Sequence, residues 1–253
     1  MLGTLAILST FVMAPIREVV TLDVDGVSRK AIVILPQSRS KAPLVFAFHG
    51  HGGNMTYSER KFGIEKLWPE AAVVYMQGIP TVTPNDPKGA RNGWQVRSTT
   101  DGQRDLKFFD KVLAWVKKKQ PIDDARVYSM GHSNGAAFTY LLWSTHPGLF
   151  AAIAPVAGGF PVADKPTPIP VLHIAGRNDP IVKYENQVRT VSRMRAFNGC
   201  EENGKAWTVK GAEIWNSPKG APVIFYSHDG RHEVPANAMK MIVKFFQDYP
   251  KKP

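Results

Sequence analysis

A chain of 253 residues with 43% hydrophobic and 21% charged side chains has the make-up of one ordinary globular α/β domain, without internal repeats or low-complexity tracts. Its 32 Lys and Arg residues give a formal charge of +11, but they are scattered, without a dense basic stripe or interleaved aromatics. That argues against a nucleic-acid partner; a solvated basic surface is the first reading and attraction to acidic cell-wall polysaccharide the second.

In chain order, residues 1–14 come first. They are apolar, end in Val12, Met13 and Ala14, and look like the core of a signal peptide, although no Lys or Arg precedes them and Pro15 follows. An ordered hydrophobic arm is the alternative, and the stretch is too short for a stable membrane span. Residues 43–48 form a continuous apolar run of strand type, which ends in the glycine-rich turn 49–54. Gly50 and Gly52 let the backbone approach a ligand closely there, and the His51 N–H is the candidate donor. His49 and His51 also raise a metal site, but no Cys or carboxylate cluster nearby completes a ligand set.

After the strand 71–77 comes an irregular stretch, 78–104, rich in Pro, Gly, Thr and Asn. A connection of that length is usually functional or disordered, and it should lie on the catalytic side of the sheet. Trp94 within it is a candidate substrate-binding aromatic; anchoring the loop to the core is the equal alternative. Residues 105–119 carry Leu106, Phe109, Val112, Leu113 and Val116 at helical spacing, and the basic end 117–119 suits the helix dipole.

The next segment carries the most chemistry. A buried strand over 125–130 leads into Gly131-His132-Ser133-Asn134-Gly135, and a buried helix follows over 134–145. G-x-S-x-G alone occurs by chance in loops. Between a strand and a helix it reads as a nucleophile elbow, with Ser133 on a strained turn and the Asn134 N–H beside a developing oxyanion. The strand 170–176 is followed by Asp179, placed either to reach a histidine on the next loop or simply to form an Asp-Pro turn. Residues 197–220, with Trp207 and Trp215, are expected to form a small excursion beside the cleft. The last strand, 221–226, opens into a loop with His228 and His232. His232 lies deeper in the loop, just before a helix over 235–248, and is the candidate base; His228 reads as structural. The order Ser133, Asp179, His232 is nucleophile, acid, base.

These segments, with Asn92-Gly93-Trp94, Asp105 to Phe109 and the stretch 147–158, resemble the α/β-hydrolase family that groups polyhydroxybutyrate depolymerases with feruloyl and acetyl xylan esterases. The resemblance runs from about Val27 to Phe246. It implies a mostly parallel sheet with helices on both faces, and Ser133, Asp179 and His232 as the triad. Two departures concern the substrate. Val234 stands where the family's H-x-W-P has tryptophan, and the lone Cys200 rules out an intrachain disulfide, unlike many secreted relatives.

The expectation is therefore one catalytic domain over 15–253, a serine esterase that needs no metal or cofactor. It is expected to be secreted or periplasmic, with the cytoplasm left open. Its partner is an ester substrate, with plant cell-wall polysaccharide and polyester as candidates; feruloyl, acetyl and hydroxyalkanoate esters all stay open. A serine peptidase on the same fold and a noncatalytic binder are the alternatives. No upstream selectivity domain supports the first, and a complete ordered triad speaks against the second.

Overall fold

The computed structural model describes residues 14–38, 40–160 and 166–252. Most of the signal-peptide-like stretch 1–14 lies outside the described residues. In chain order the elements begin with β1 (Ile16–Val24), β2 (Val27–Leu35), β3 (Ala42–Phe48), α1 (Met55–Phe62), α2 (Ile64–Leu67), β4 (Ala72–Met76), β5 (Ile79–Pro80), β6 (Asn92–Gly93) and α3 (Arg104–Lys119). They continue with β7 (Ile122–His132), α4 (Asn134–Thr145), β8 (Ala152–Val156), β9 (Val171–Gly176), α5 (Tyr184–Asn198), β10 (Lys205–Ala206), β11 (Ala212–Trp215), β12 (Val223–His228) and α6 (Ala238–Asp248).

Ten strands form one sheet in the order β1-β2-β4-β3-β7-β8-β9-β12-β11-β10. The six from β4 to β12 run parallel, and antiparallel pairs close both edges. Every residue of β3, β4, β8 and β9 is buried, as strands covered on both faces must be. Alternation along β3 divides the core. Leu44, Phe46 and Phe48 pack with side chains of α3, α4 and α5, whereas Val45 and Ala47 pack with those of α2 and α6. Helix α4 lies against the sheet centre and buries eight of its twelve residues, so it is apolar nearly all round rather than striped.

The edge hairpin β1–β2 turns at Asp25-Gly26, both with positive φ (53° and 82°), the two-residue Asp-Gly signal that a hairpin needs. Two expectations shift. The last helix starts at Ala238 rather than 235, because residues 235–237 form a turn closed by the Ala238 N–H on the Pro235 carbonyl, 2.9 Å. The stretch 197–220 does not border the cleft. Its β11 pairs with the open edge of β12 and β10 with β11, so it extends the sheet on the far side. Trp215 there is 8% exposed and carries the Arg195 guanidinium 4.4 Å above its ring.

Candidate active site

The carboxyl ends of β3, β7, β9 and β12 meet at the floor of an open cleft of about 1060 Å³. Ser133 sits there between β7 and α4 with φ 57° and ψ −117°, a region that L residues avoid and that a tight strand-to-helix turn imposes. Two glycines permit the turn through close approach. A Cβ on Gly131 would lie 2.2 Å from the Gly135 carbonyl oxygen, and one on Gly135 would lie 2.5 Å from that of Phe48. The small-residue spacing is thus a packing requirement between the elbow and β3.

The structure brings Ser133, His232 and Asp179 together in a line. Ser133 Oγ is 2.7 Å from His232 Nε2, and His232 Nδ1 is 2.8 Å from Asp179 Oδ2. Asp179 is 6% exposed, and its charge is well provided with donors. The N–H groups of Ile181 and Val182 donate to Oδ1 at 2.8 and 2.9 Å, and the Gln187 amide donates to Oδ2 at 3.2 Å. His228 ends β12 instead. Its Nδ1 accepts the Gly230 N–H at 3.1 Å, and burial lowers its pKa from the ordinary histidine value. No hydrogen bond joins His228 to Ser133 or Asp179 among the described residues.

The turn 49–54 packs directly on Ser133: a Cβ on Gly50 would lie 3.3 Å from Ser133 Cβ. Within it, Gly52 N–H donates to Asn92 O (2.7 Å) and Gly53 N–H to Gly50 O (2.9 Å), while the His51 N–H has no protein partner among the described residues. Asn134 opens α4, so its N–H belongs to the first turn, whose donors have no partner inside a helix. The two histidines of the turn are engaged elsewhere. His49 Nε2 accepts the Gly78 N–H (2.9 Å) and its Nδ1–H donates to Gly50 O (2.8 Å), while His51 Nε2–H donates to Asp86 Oδ2 (3.0 Å).

Trp94 borders the cleft, yet it is only 1% exposed. Its ring stacks on Phe138 (5.2 Å between centroids), meets Phe48 edge-on (5.3 Å), and donates its Nε1–H to the His49 carbonyl at 2.9 Å. The Asn134 side chain clasps its backbone from both sides, Oδ1 accepting Trp94 N–H (2.7 Å) and Nδ2 donating to Trp94 O (3.0 Å). These contacts are the ones the anchoring alternative requires: the clasp turns the indole into the core. Trp94→Ala should therefore cost about 3–5 kcal/mol, as buried aromatic truncations do. The melting temperature should drop, and turnover of small and bulky esters should fall alike. A selective loss on a bulky ester at unchanged stability would restore the contact role.

The stretch 78–104 does form a wall of the cleft, as expected, and a buried polar knot holds it. Arg29, 1% exposed, donates to Asp105 Oδ1 (2.7 Å) and Gln77 O (3.2 Å). Asp105 Oδ2 accepts the Gln95 N–H, and Gln95 Oε1 accepts the Asp105 N–H. The exposed apolar side chains of the cleft come from elsewhere than Trp94. Tyr57, Val82 and Ile181 line the cleft and are 50%, 67% and 55% exposed. Sequence reasoning passed over them, although an exposed Val82 amid a polar loop and Ile181 just after the acid are apolar side chains without a core to join.

Burial also sets proton occupancy. Desolvation pushes His49, His132 and His173 down to about 4 each, so all three are neutral at pH 7. The His132 ring lies 4.9 Å from that of His232 and brings no positive charge to it. Unfolded histidines titrate near 6.5, so on acidification the unfolded chain takes up these protons first. Stability supplied by the neutral rings is present above pH ~6.5 and is lost as pH falls towards 4, on the order of 1 kcal/mol per pH unit from each. Urea midpoints at pH 7, 6 and 5 should fall steeply; a level series would contradict the burial of these rings.

No family model matches the chain. Among curated proteins, "Probable feruloyl esterase C" of Aspergillus flavus is 27% identical over 202 residues, covering 75% of this chain and 70% of that protein. A bifunctional acetylxylan esterase/xylanase of Neocallimastix patriciarum is 28% identical over 164 residues, covering 64% of this chain and 23% of that longer protein. Among solved structures, an acetyl xylan esterase from Aspergillus awamori matches with a TM-score of 0.62 at 17% identity, over 91% of this chain and 99% of that one.

Proposed function

We propose that this chain, an α/β-hydrolase that hydrolyses carboxylic esters, does so with Ser133 as nucleophile, His232 as base and Asp179 as the acid that orients it. The observation that supports this most is the unbroken line of hydrogen bonds from Ser133 Oγ through His232 to Asp179 at the floor of the cleft, 2.7 and 2.8 Å. The neutral imidazole accepts the serine proton at Nε2 while Oγ adds to the ester carbonyl. Asp179 keeps the other proton on Nδ1 and stabilises the imidazolium that forms. The carbonyl oxygen becomes an oxyanion held by the N–H groups of His51 and Asn134. Collapse breaks the ester C–O bond, and His232 gives its proton to the leaving alcohol. Water, deprotonated by His232, then adds to the acyl-enzyme; the acid leaves and Ser133 regains its proton.

Residues 15–253 form the catalytic domain in this reading, and neither metal nor cofactor takes part. The cleft is large beside the ~300–1000 Å³ of ordinary ligand sites, and Tyr57, Val82 and Ile181 give it exposed apolar walls. That favours a bulky or polymer-borne ester, feruloyl or acetyl on cell-wall polysaccharide or a polyhydroxyalkanoate, over a free short-chain one. A secreted or periplasmic location rests on the signal-like stretch 1–14, and sequencing the amino terminus of the exported protein tests it.

The decisive experiment is a panel of feruloyl, acetylated-polysaccharide and hydroxyalkanoate esters, with rates expressed per reactive serine. Turnover of at least one, with a burst of alcohol equal to the enzyme present when deacylation is slow, is the expected result. A folded chain that turns over no member of the panel would overturn the reading.

A further inference from the structure

Behind Asp179 lies a polar chain that the reaction as written does not use. The Gln187 amide of α5 contacts His173 of β9, and His173 contacts Tyr140 of α4, at 3.2 and 2.7 Å. All three residues are 0% exposed. Unsatisfied, such a trio is costly in a core, so its pairing has to be complete.

The chemistry of the amide sets the direction of every bond. Gln187 Nε2 faces Asp179 Oδ2 (3.2 Å) and the Val182 carbonyl (2.8 Å), which can only accept, so the NH₂ group must point there. Its Oε1 then faces His173 Nε2 and can only accept, which puts the imidazole proton on Nε2. Nδ1 is left as a lone pair, so the Tyr140 hydroxyl donates to it. Burial keeps both rings uncharged: His173 is pushed down to about 4 and Tyr140 well above its ordinary value. Donors thus run in one direction, from Tyr140 to His173 to Gln187 to the carboxylate, and His232 Nδ1–H donates to the same Oδ2 (2.8 Å).

We infer that Tyr140, His173 and Gln187 are positioning residues of the catalytic acid, holding Asp179 Oδ2 in line with His232 through this one-way chain. The inference rests on the triad reading above. Gln187→Leu should lower kcat per reactive serine by up to ~100-fold, the scale of a small misplacement of a reacting group. KM should change far less than kcat, because Gln187 itself does not line the cleft and reaches it only through the Val182 carbonyl. Tyr140→Phe is the gentler test. It removes one hydroxyl and keeps the ring against Phe160 and Trp143, yet frees His173 to change tautomer and the amide to turn its oxygen on the carboxylate. A loss of kcat of roughly 2–10-fold, the worth of one hydrogen bond, is expected. Unchanged kcat in both variants, with only a lowered melting temperature, would make the trio a structural feature and overturn the inference. A wild-type chain inert to esters and to phosphonate probes would instead sink the triad reading itself.

A separate observation concerns charge. Among the described residues, and apart from the histidines, the charged side chains lining the cleft are Arg60, Arg91, Arg97 and Asp101. Arg91 is partly spoken for, its Nε 3.7 Å from Asp86 Oδ2; Arg60 and Arg97 have no ion-pair partner among the described residues. Among the described residues Arg60 and Arg97, with Arg91 shared with Asp86, outnumber Asp101 and make a cation-rich mouth on a chain of charge +11. The geometry points to an ester whose sugar part carries a carboxylate, that is, an acetylated or acylated uronosyl unit; this too rests on the ester-hydrolase reading.

Matched acetyl esters of galacturonate and galactose test it. At low ionic strength kcat/KM should favour the anionic ester by about tenfold or more, and the preference should shrink at high salt. The ratio should also fall in the double variant Arg60→Gln, Arg97→Gln. Calorimetry with oligogalacturonate, which has no ester to lose, reads the rim independently of turnover. Equal rates on the two esters at low salt, or a preference the double variant leaves intact, would overturn the assignment.

Discussion

Replacing Ser133 with Ala should leave a folded protein whose ester turnover is lower by roughly four to six orders of magnitude, the usual cost of removing an activated nucleophile. The fold should tolerate the change for local reasons. Alanine carries the same Cβ as serine into the φ 57° conformation, so the strain of the turn is unaltered. The backbone bond from Ser133 N–H to the Val156 carbonyl (2.8 Å) stays, and Oγ contributes only its bond to His232. Melting temperature should therefore stay close to wild type. A fluorophosphonate probe should label the wild-type chain at Ser133 and leave the variant unlabelled. Measurable turnover in the variant beyond that small residue, or labelling at another side chain, would remove Ser133 from the reaction.

Legibility in the sequence followed the range of the interactions involved. The elbow was readable because its requirements are local: a buried strand, glycines at 131 and 135, and a helix that buries nearly every face. Central strands were readable for the same reason, since a run such as 43–48 has no polar position to place in water. Asp179 and His232 are placed by chain order and loop depth, and the structure brings His232 within hydrogen-bond reach of both Asp179 and Ser133. What escaped depends on partners distant in the chain. Trp94 is turned inward by Asn134, forty residues later, so nothing near it in sequence separates wall from anchor. The excursion 197–220 goes to the sheet edge because β12 has an unpaired side there. Nothing beside His173 or Gln187 in the sequence marks them, and only the fold links Tyr140 through His173 and Gln187 to Asp179. The hairpin at Asp25-Gly26 had a readable turn signal that the apolar runs overshadowed.

Separating His232 from His228 is the other large effect. His232→Ala removes the group that takes the serine proton and returns it to the alcohol, so kcat should fall by roughly four to six orders of magnitude, on the scale of losing the nucleophile itself. KM should change little. Asp179 would still receive the N–H groups of Ile181, Val182 and Gln187, so its charge is not stranded and the fold should hold. His228→Ala removes one turn bond, from the Gly230 N–H, worth about 1 kcal/mol, and should keep kcat within severalfold of wild type. The pH profile adds a second readout. A general base acts only in its unprotonated form, so wild-type activity should carry an acid limb; His49, His132 and His173, neutral above pH 5, do not contribute to it there. That limb should survive in His228→Ala and vanish from the residual rate of His232→Ala. A large loss confined to His228→Ala would reverse the choice between the two histidines. A limb that persists in His232→Ala would show that some other group moves the proton.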